Sequence, residues 1–301
     1  MAHRLALALC AATLVLILFG GLVTNTGAAL AVPDWPTTFG YNMFLFPWSG
    51  MVGGVLYEHS HRLLGAVVGL LTLALAATLW SGERRRWVRW LGVAAVITVS
   101  IQGVLGGLRV VLVEDAIAIV HGALAQAFFG LVVSLALFTS RAWTAPVSPA
   151  QSGDALVLRR LALLTAGVVY LQIVFGAFLT HFGARLDGHL VGATVLAFLI
   201  PLLFVRVMRG RGDRPGLVLP ARFLLALLVV QLLLGVGAYA GRFTDLALPL
   251  APYSLAFPVA HRIVGGLLLA ASLVLTLCCH RLLVPPERGV ARDLVSREVA
   301  A

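Results

Sequence analysis

Four histidines are the residues of this chain best placed to do chemistry, because each lies near the start of a strongly apolar segment. They are His61, His121, His189 and His261, two in each half of the sequence. An imidazole inside a membrane is costly without a partner. Neutral imidazole is also a common axial ligand of haem iron, which needs one or two such ligands. The four positions therefore predict two haem-type sites, one in each half.

A carboxylate accompanies only one of these histidine pairs. Glu58 lies three residues before His61, so a continuous helix would place both side chains on one face. There the carboxylate could accept a proton or stabilise developing positive charge. The alternative is an interfacial ion pair of Glu58 with Arg62, four residues further on. The second half has Leu186 and Pro258 at the corresponding positions, which suggests one reactive site and one supporting site.

Two arginines directly follow candidate ligands. Arg62 comes after His61, and Arg262 comes after His261. A guanidinium can bind a haem propionate through its planar fork, and anchoring at the membrane interface explains these arginines equally well. His59 competes with His61 for the ligand role, but only His61 has a counterpart in register in the other half.

Composition places these residues in a membrane protein. The chain is 60% hydrophobic and 11% charged, with a mean hydropathy of +1.01, which is too apolar for a soluble domain of 301 residues. Eight apolar runs approach the roughly 20 residues that span a bilayer. They lie near 5–27, 61–80, 89–110, 116–138, 161–182, 188–208, 219–240 and 254–278. We therefore predict an all-α integral membrane fold with eight transmembrane helices.

The charge distribution predicts how these helices cross the membrane. The net charge is +10, and all 22 basic residues are arginine. Five belong to one side, Arg62, Arg109, Arg185, Arg242 and Arg262, and the other 17 belong to the opposite connections and the termini. Such an excess marks the cytoplasm, so we expect both termini there and the histidines near the extracytoplasmic face of the cell membrane. No aromatic-interleaved basic stripe accompanies the charge, so a nucleic-acid partner is not expected.

The two halves of the chain repeat each other. FGGLVTNTGAAL at 19–30 matches FGAFLTHFGARL at 175–186, which also favours a membrane span over a cleaved leader for the first segment. A glutamine precedes a glycine by four residues at Gln102 and Gly106, at Gln172 and Gly176, and at Gln231 and Gly235. We predict two pseudo-symmetric four-helix bundles. The expected divisions are an N-terminal half at 1–140, a cytoplasmic linker at 141–160, a C-terminal half at 161–283 and a cytoplasmic tail at 284–301.

These motifs together resemble the haem A synthases, an integral-membrane family that converts haem O to haem A for cytochrome oxidase. The likeness covers about residues 18–270. It rests on Gly21-Leu22-Val23-Thr24-Asn25-Thr26-Gly27-Ala28-Ala29, Pro33-Asp34-Trp35-Pro36, Glu58-x-x-His61-Arg62, Gln102-x-x-x-Gly106, His121-Gly122, Phe175-Gly176-Ala177, His189 and His261-Arg262.

The resemblance implies a role for each candidate residue. His61 and His121 would be the axial ligands of the substrate, haem O. Glu58 would take part in oxidising the C8 methyl group of that haem to a formyl group by successive hydroxylations. His189 and His261 would hold a haem b cofactor for electron transfer, and a haem O synthase and an electron acceptor are possible partners. The first outer loop lacks the cysteine pair that many bacterial members carry.

Two other functions also fit four histidines. A di-haem membrane cytochrome would pass electrons between quinone and another carrier, although its haems would more naturally lie at different depths. A haem transporter or chaperone would need only exchangeable ligands near the outer face. Neither alternative function requires a carboxylate such as Glu58 beside one histidine pair.

Overall fold

The computed structural model describes residues 1–209, 214–244 and 255–286. Its helices are α1 (Ala2–Asn25), α2 (Gly53–Gly82), α3 (Arg86–Leu112), α4 (Asp115–Phe138), α5 (Arg141–Thr144), α6 (Ala155–Phe182), α7 (Leu186–Met208), α8 (Pro215–Phe243) and α9 (Ala256–Leu282). All but the four-residue α5 are long and apolar enough to cross a membrane, which confirms the eight predicted spans. Some arginines of the charge argument lie outside the described residues, namely Arg211, Arg288, Arg292, Arg297 and the side chain of Arg242.

The surface of these helices is apolar as well as their interior. Large side chains such as Leu70 and Phe198 are exposed on the outside of the protein, where lipid is their natural surrounding. Hydroxyl groups inside the helices bond to their own backbone. Thr13, for example, donates to a carbonyl one turn earlier, at 2.7 Å from its oxygen. These helices thus satisfy their polar groups locally, as a segment in lipid must.

Helix α2 begins earlier than its sequence predicts. Its apolar run starts near residue 61, but the helix starts at Gly53, whose φ of 54° ends the preceding loop. The intervening residues include Val55, Leu56 and Tyr57 before the polar Glu58, His59 and Ser60. Glu58 forms an ion pair with Arg62 one turn later in the same helix. The prediction that His61 begins the segment is therefore wrong, since His61 lies in the third turn of α2.

The helices of each half contact one another in a closed ring. In the first half α1 packs on α2, α2 on α3, α3 on α4, and α4 on α1. In the second half α6, α7, α8 and α9 follow the same order. The two rings meet where α1 and α4 contact α9, and where α4 contacts α6. Helix α9 is thus the most enclosed span, with 61% of its apolar window buried against 17–39% for the others.

Close packing of α4 on α9 depends on glycine. A Cβ on Gly130 would lie 2.7 Å from the side chain of Leu273, and one on Gly266 would lie 2.6 Å from the Gln126 Oε1. Small residues at such contacts let helix backbones approach closely in a membrane, where dispersion rather than the hydrophobic effect holds helices together. The interface between the halves is therefore a fixed packing contact.

Polar contacts join the connections at the end of the helices remote from the histidines. Arg85 donates to Glu83 at 2.8 Å and to the Phe138 carbonyl at 2.8 Å. The hydrogen bond from the Arg85 side chain lowers the pKa of Glu83 to about 2, against an opposing effect of burial. Two short parallel strands, β1 (Ala150–Gln151) and β2 (Leu283–Val284), tie the linker to the end of α9.

Candidate functional site

A cavity of about 1080 Å³ lies among the helices of both halves. Its volume is at the upper end of the roughly 300–1,000 Å³ of typical small-molecule pockets, so it has room for a large ligand. The lining includes all four histidines that the sequence singled out: His61, His121, His189 and His261. Its charged lining residues, among those described, are Glu58, Arg62, Arg109 and Arg262.

The four imidazoles form two pairs inside this cavity, one from each half. The ring centroids of His61 and His121 are 6.5 Å apart, and those of His189 and His261 are 6.1 Å apart. Two metal–imidazole bonds of about 2 Å, plus the distance from each nitrogen to its ring centre, give a separation of about 6 Å. Each pair therefore has a spacing at which both imidazoles could bind one iron.

The ligand set suits an iron that a macrocycle already holds. Across the described residues, no three His, Cys, Asp or Glu side chains come together as a site for a bare metal ion. A haem iron takes four ligands from its own ring and needs only one or two from the protein. Two facing histidines meet that requirement, so the residues present fit a haem in each half.

Each of these imidazoles packs its edge against a glycine of the preceding helix. A Cβ on that glycine would lie only 3.2–3.4 Å from the Cε1 atom of the histidine, so a larger residue would push the ring. The pairs are Gly20 with His61, Gly106 with His121, Gly176 with His189, and Gly235 with His261. This contact explains the glycine that follows each glutamine by four residues in the repeated motif. The same contact occurs at Gly20, which has no such glutamine. We call these four glycines the histidine seats.

A backbone carbonyl one turn before each seat approaches the imidazole. For His261 the Nδ1 atom lies 3.2 Å from the Gln231 oxygen. The other three imidazoles interact with the equivalent carbonyls, of Leu16, Gln102 and Gln172, although their Nδ1 atoms lie outside hydrogen-bond geometry. An imidazole whose Nδ1 faces a carbonyl presents Nε2 as its metal ligand.

The glutamines of the motif are further contacts of the ligand helices. Gln102 donates through Nε2 to the His121 carbonyl at 3.0 Å, and Gln172 donates in the same way to the His189 carbonyl. In the eighth span the contact differs, because the Gln231 Nε2 lies 3.2 Å from the ring Nε2 of His261. The glutamines thus bind the start of three ligand helices to their neighbours, while α1 has Leu16 at the corresponding place.

Glu58 is a buried carboxylate with two fixed contacts. Its Oε2 accepts a hydrogen bond from the Val32 backbone at 2.9 Å, and its Oε1 accepts one from Arg62 at 2.7 Å. The sequence allowed an interfacial ion pair of Glu58 with Arg62. The pair forms, but inside the protein, since the Glu58 side chain is only 5% exposed. Glu58 also lines the cavity beside His61.

The Arg62 side chain binds the backbone of the first outer loop. Besides Glu58, it donates to the carbonyl oxygens of Val32, Asp34 and Thr37 at 2.7–3.0 Å. The sequence offered propionate binding or interfacial anchoring for this residue. In the structure its two terminal nitrogens are used within the protein, and they join the loop to α2.

The first outer loop is organised around Asp34. Burial opposes ionisation of this carboxyl, but hydrogen bonds from the Gly40 backbone, the Thr37 hydroxyl and the Phe39 backbone outweigh it and lower the pKa of Asp34 to about 2. The adjacent Trp35 side chain lies directly against Gly107 of α3 and lines the cavity. The loop thus covers the part of the cavity that the first half builds.

Two further arginines lie beside the first histidine pair. Arg262 was expected near the second pair because it follows His261, yet its guanidinium lies 3.3 Å from the Gly20 carbonyl and 3.3 Å from the Thr24 hydroxyl of α1. Arg109, in the last turn of α3, lines the same cavity. From the sequence, Arg109 contributed only to the predicted topology, although its place one turn after the seat Gly106 indicates a position near His121.

The remaining histidines near the site have other partners. The His59 ring is 1% exposed, its Nδ1 lies 3.1 Å from the Thr38 hydroxyl, and it packs on Phe46 at 5.1 Å between centroids. It is not among the residues that line the cavity in the described part of the chain. His181 does line the cavity, and its Nδ1 lies 4.0 Å from a carboxylate oxygen of Asp115 in the other half.

Comparison with known proteins agrees with this geometry. Residues 50–188 match a family described as cytochrome oxidase assembly protein, a segment that contains Glu58, His61 and His121 and ends just before His189. The haem A synthase of Shouchella clausii is 30% identical over 184 residues, which cover 58% of this chain and 57% of that protein. That of Bacillus pumilus is 30% identical over 175 residues, or 56% and 55% of the two chains.

A third relative has a similar identity over a shorter stretch. The haem A synthase of Alkalihalophilus pseudofirmus is 32% identical over 127 residues, which cover 41% of each chain. The chain thus spans a little over half the length of the first two curated relatives. The family match, these relatives and the eight apolar helices agree, and over these stretches the chain is similar to the haem A synthases.

Proposed function

We propose that this protein is a haem A synthase, which oxidises the C8 methyl group of haem O to the formyl group of haem A by successive hydroxylations. His61 and His121 hold the substrate haem O, and His189 and His261 hold a haem b cofactor. The observation that carries this proposal is the inequality of two otherwise similar sites. Both histidine pairs have axial spacing, but only the first has a buried carboxylate, Glu58, beside it.

Glu58 is the proton acceptor of the first site. It lies one turn before His61 on the same helix, with one carboxylate oxygen held by Arg62 and the other by the Val32 backbone. A carboxylate fixed in this way is oriented before the substrate arrives. Its ion pair with Arg62 offsets the cost of burying the ionised carboxylate inside the protein. Arg62 is a positioning residue, because it acts on the reaction through Glu58 and the loop.

The second site supports the first. When bound there, haem b supplies one-electron transfer. The residues of this half hold the two ligands at a fixed separation. Leu186 and Pro258 stand where a counterpart of Glu58 would be, three residues before each histidine. Both pairs line one cavity, so electrons would travel a short distance between the sites.

We place the site near the extracytoplasmic face, with both termini in the cytoplasm. The support is the arginine excess of the opposite connections. The chain contacts lipid over its apolar surface and receives haem O from a haem O synthase. An electron acceptor completes the oxidation.

The test is to express the full chain in a host that makes haem O but lacks haem A, and to separate the extracted haems by chromatography. We expect a haem A peak that is absent from the host with the empty vector. Binding of haem O without any haem A would instead indicate a transporter or chaperone. Quinone-linked reduction of bound haem without haem A would indicate a di-haem cytochrome.

A further inference from the structure

We infer that Arg109 and Arg262 form a two-point anchor for the two propionate groups of the haem in the first half, with Arg262 supplied by the second half. This inference rests on the proposed function in that haem is taken as the ligand of the His61 and His121 pair. From the sequence, Arg262 was a candidate for propionate binding or interfacial anchoring, with no haem of either half assigned to it.

Arg262 reaches the first site through α1. Its guanidinium lies 3.3 Å from the Gly20 carbonyl, and Gly20 is also the seat against which the His61 ring packs. The stem of Arg262 contacts the next residue of α1, since a Cβ on Gly21 would lie 3.8 Å from its Cδ. The cation therefore lies next to the first histidine pair, although its backbone belongs to α9.

Arg109, in the last turn of α3, lines the same cavity as this histidine pair. It interacts electrostatically with both His61 and His121, and with Arg262. Among the described residues, no hydrogen bond or ion pair of the Arg109 side chain lies within bonding distance, while its backbone carbonyl accepts from the Val113 N–H. Glu58 and Asp115 act on it only at longer range.

The net positive charge of the residues that line the cavity favours an anionic ligand. Of the charged residues that line it in the described part of the chain, Glu58 and Arg62 neutralise each other. Arg109 and Arg262 then leave a surplus of two positive charges. Like charges enclosed together are costly unless an anion accompanies them. A haem carries two propionates, and the planar fork of arginine binds carboxylates through two parallel hydrogen bonds.

The anchor would also fix the orientation of the macrocycle. Axial ligands alone allow a haem to rotate about the line through its iron. Two cations beside the His61 and His121 pair would remove that freedom and hold the ring in one orientation relative to Glu58. A methyl group at a single position could then be selected from several.

The experiment compares two probes, iron protoporphyrin IX and its dimethyl ester, which lacks both negative charges. Binding is measured by absorbance titration in full-length protein carrying His189→Ala, so that the first pair is the complete one. We expect Arg109→Gln and Arg262→Gln each to weaken binding of the diacid by about tenfold, as for loss of a charged hydrogen bond, and to change binding of the ester by less than about twofold. Arg185→Gln is the matched control, since Arg185 also lies at this end of the helices but is not among the lining residues of the cavity.

A second background separates the two sites. In protein carrying His61→Ala, which keeps the second pair complete, Arg262→Gln should leave haem binding unchanged, and that retained haem also shows that the variant is folded. An effect of Arg262→Gln only in this background would overturn the inference, as would equal losses for the diacid and the ester. If the wild type binds the diacid selectively but makes no haem A, the proposed function fails while the anchor stands.

Discussion

Glu58 is the residue whose environment decides what the first site can do. The pattern of Glu58 three residues before His61 predicted proximity, and the i+4 pair with Arg62 was weighed as an alternative. Both relationships exist together, because α2 is continuous through these residues and the pair is buried. Removing one partner of a buried ion pair costs about 3–5 kcal/mol, so a conservative substitution is the informative one.

We therefore predict the effect of Glu58→Gln. The amide still offers an acceptor oxygen to Arg62 but cannot take up a proton at neutral pH. Formation of haem A should fall by about 100-fold or more, as expected for loss of a proton acceptor, while the absorbance spectra retain both haem signals. Product is measured by chromatography of extracted haems.

Glu83→Gln is the control for that experiment. Glu83 also pairs with an arginine, Arg85, but at the other end of the helices and outside the lining of the cavity. Haem A formation by Glu58→Gln at the wild-type rate would show that Glu58 is not the proton acceptor.

At the scale of the helices, the histidine seats explain why glycines recur in the sequence. Hydropathy located the eight spans, because each is a long apolar run. It missed the first two turns of α2, because Glu58, His59 and Ser60 separate them from the apolar run that follows. The seats could not be read from the sequence, since it does not show which helix each imidazole faces.

Helix α6 offers a direct test of a seat. A Cβ on Gly176 would lie 3.3 Å from the His189 Cε1, whereas one on Gly167 in the same helix meets nothing within 4 Å. Gly176→Val should therefore displace the His189 ring and lower bound haem b several-fold, as measured from the haem-to-protein ratio. Gly167→Val carries the same change in helix propensity and should keep its haem. Equal haem content in the two variants would rule out the seat.

At the scale of the whole molecule, the two halves are alike in construction but share one cavity. Each half brings two histidines to axial spacing by the same contact with a preceding helix. Only the first half has Glu58 and the loop that Arg62 and Asp34 organise. Arg262 belongs to the second half but contacts α1 of the first. The repeat thus provides two similar histidine pairs, and local differences distinguish their surroundings.

We predict that the two sites lose haem independently. His189→Ala and His261→Ala should each lower bound haem b while leaving the first site able to bind haem O, because the two pairs share no ligand. Pyridine haemochrome spectra of purified protein measure both. His280→Ala is the control, since His280 bonds to the Thr276 carbonyl at the far end of α9. Unchanged haem b in both ligand variants would refute the cofactor assignment.

The sequence by itself determined the number of spans, the four histidines and the single carboxylate beside one pair. It could do so because hydropathy and short spacings are local properties of a chain. Only the tertiary structure decided where three arginines act. Arg62 is committed to a loop folded over α2, Arg262 faces α1 of the other half, and Arg109 lies beside the first pair. A long guanidinium side chain can serve any neighbour within its reach, so its partner depends on which helices pack together.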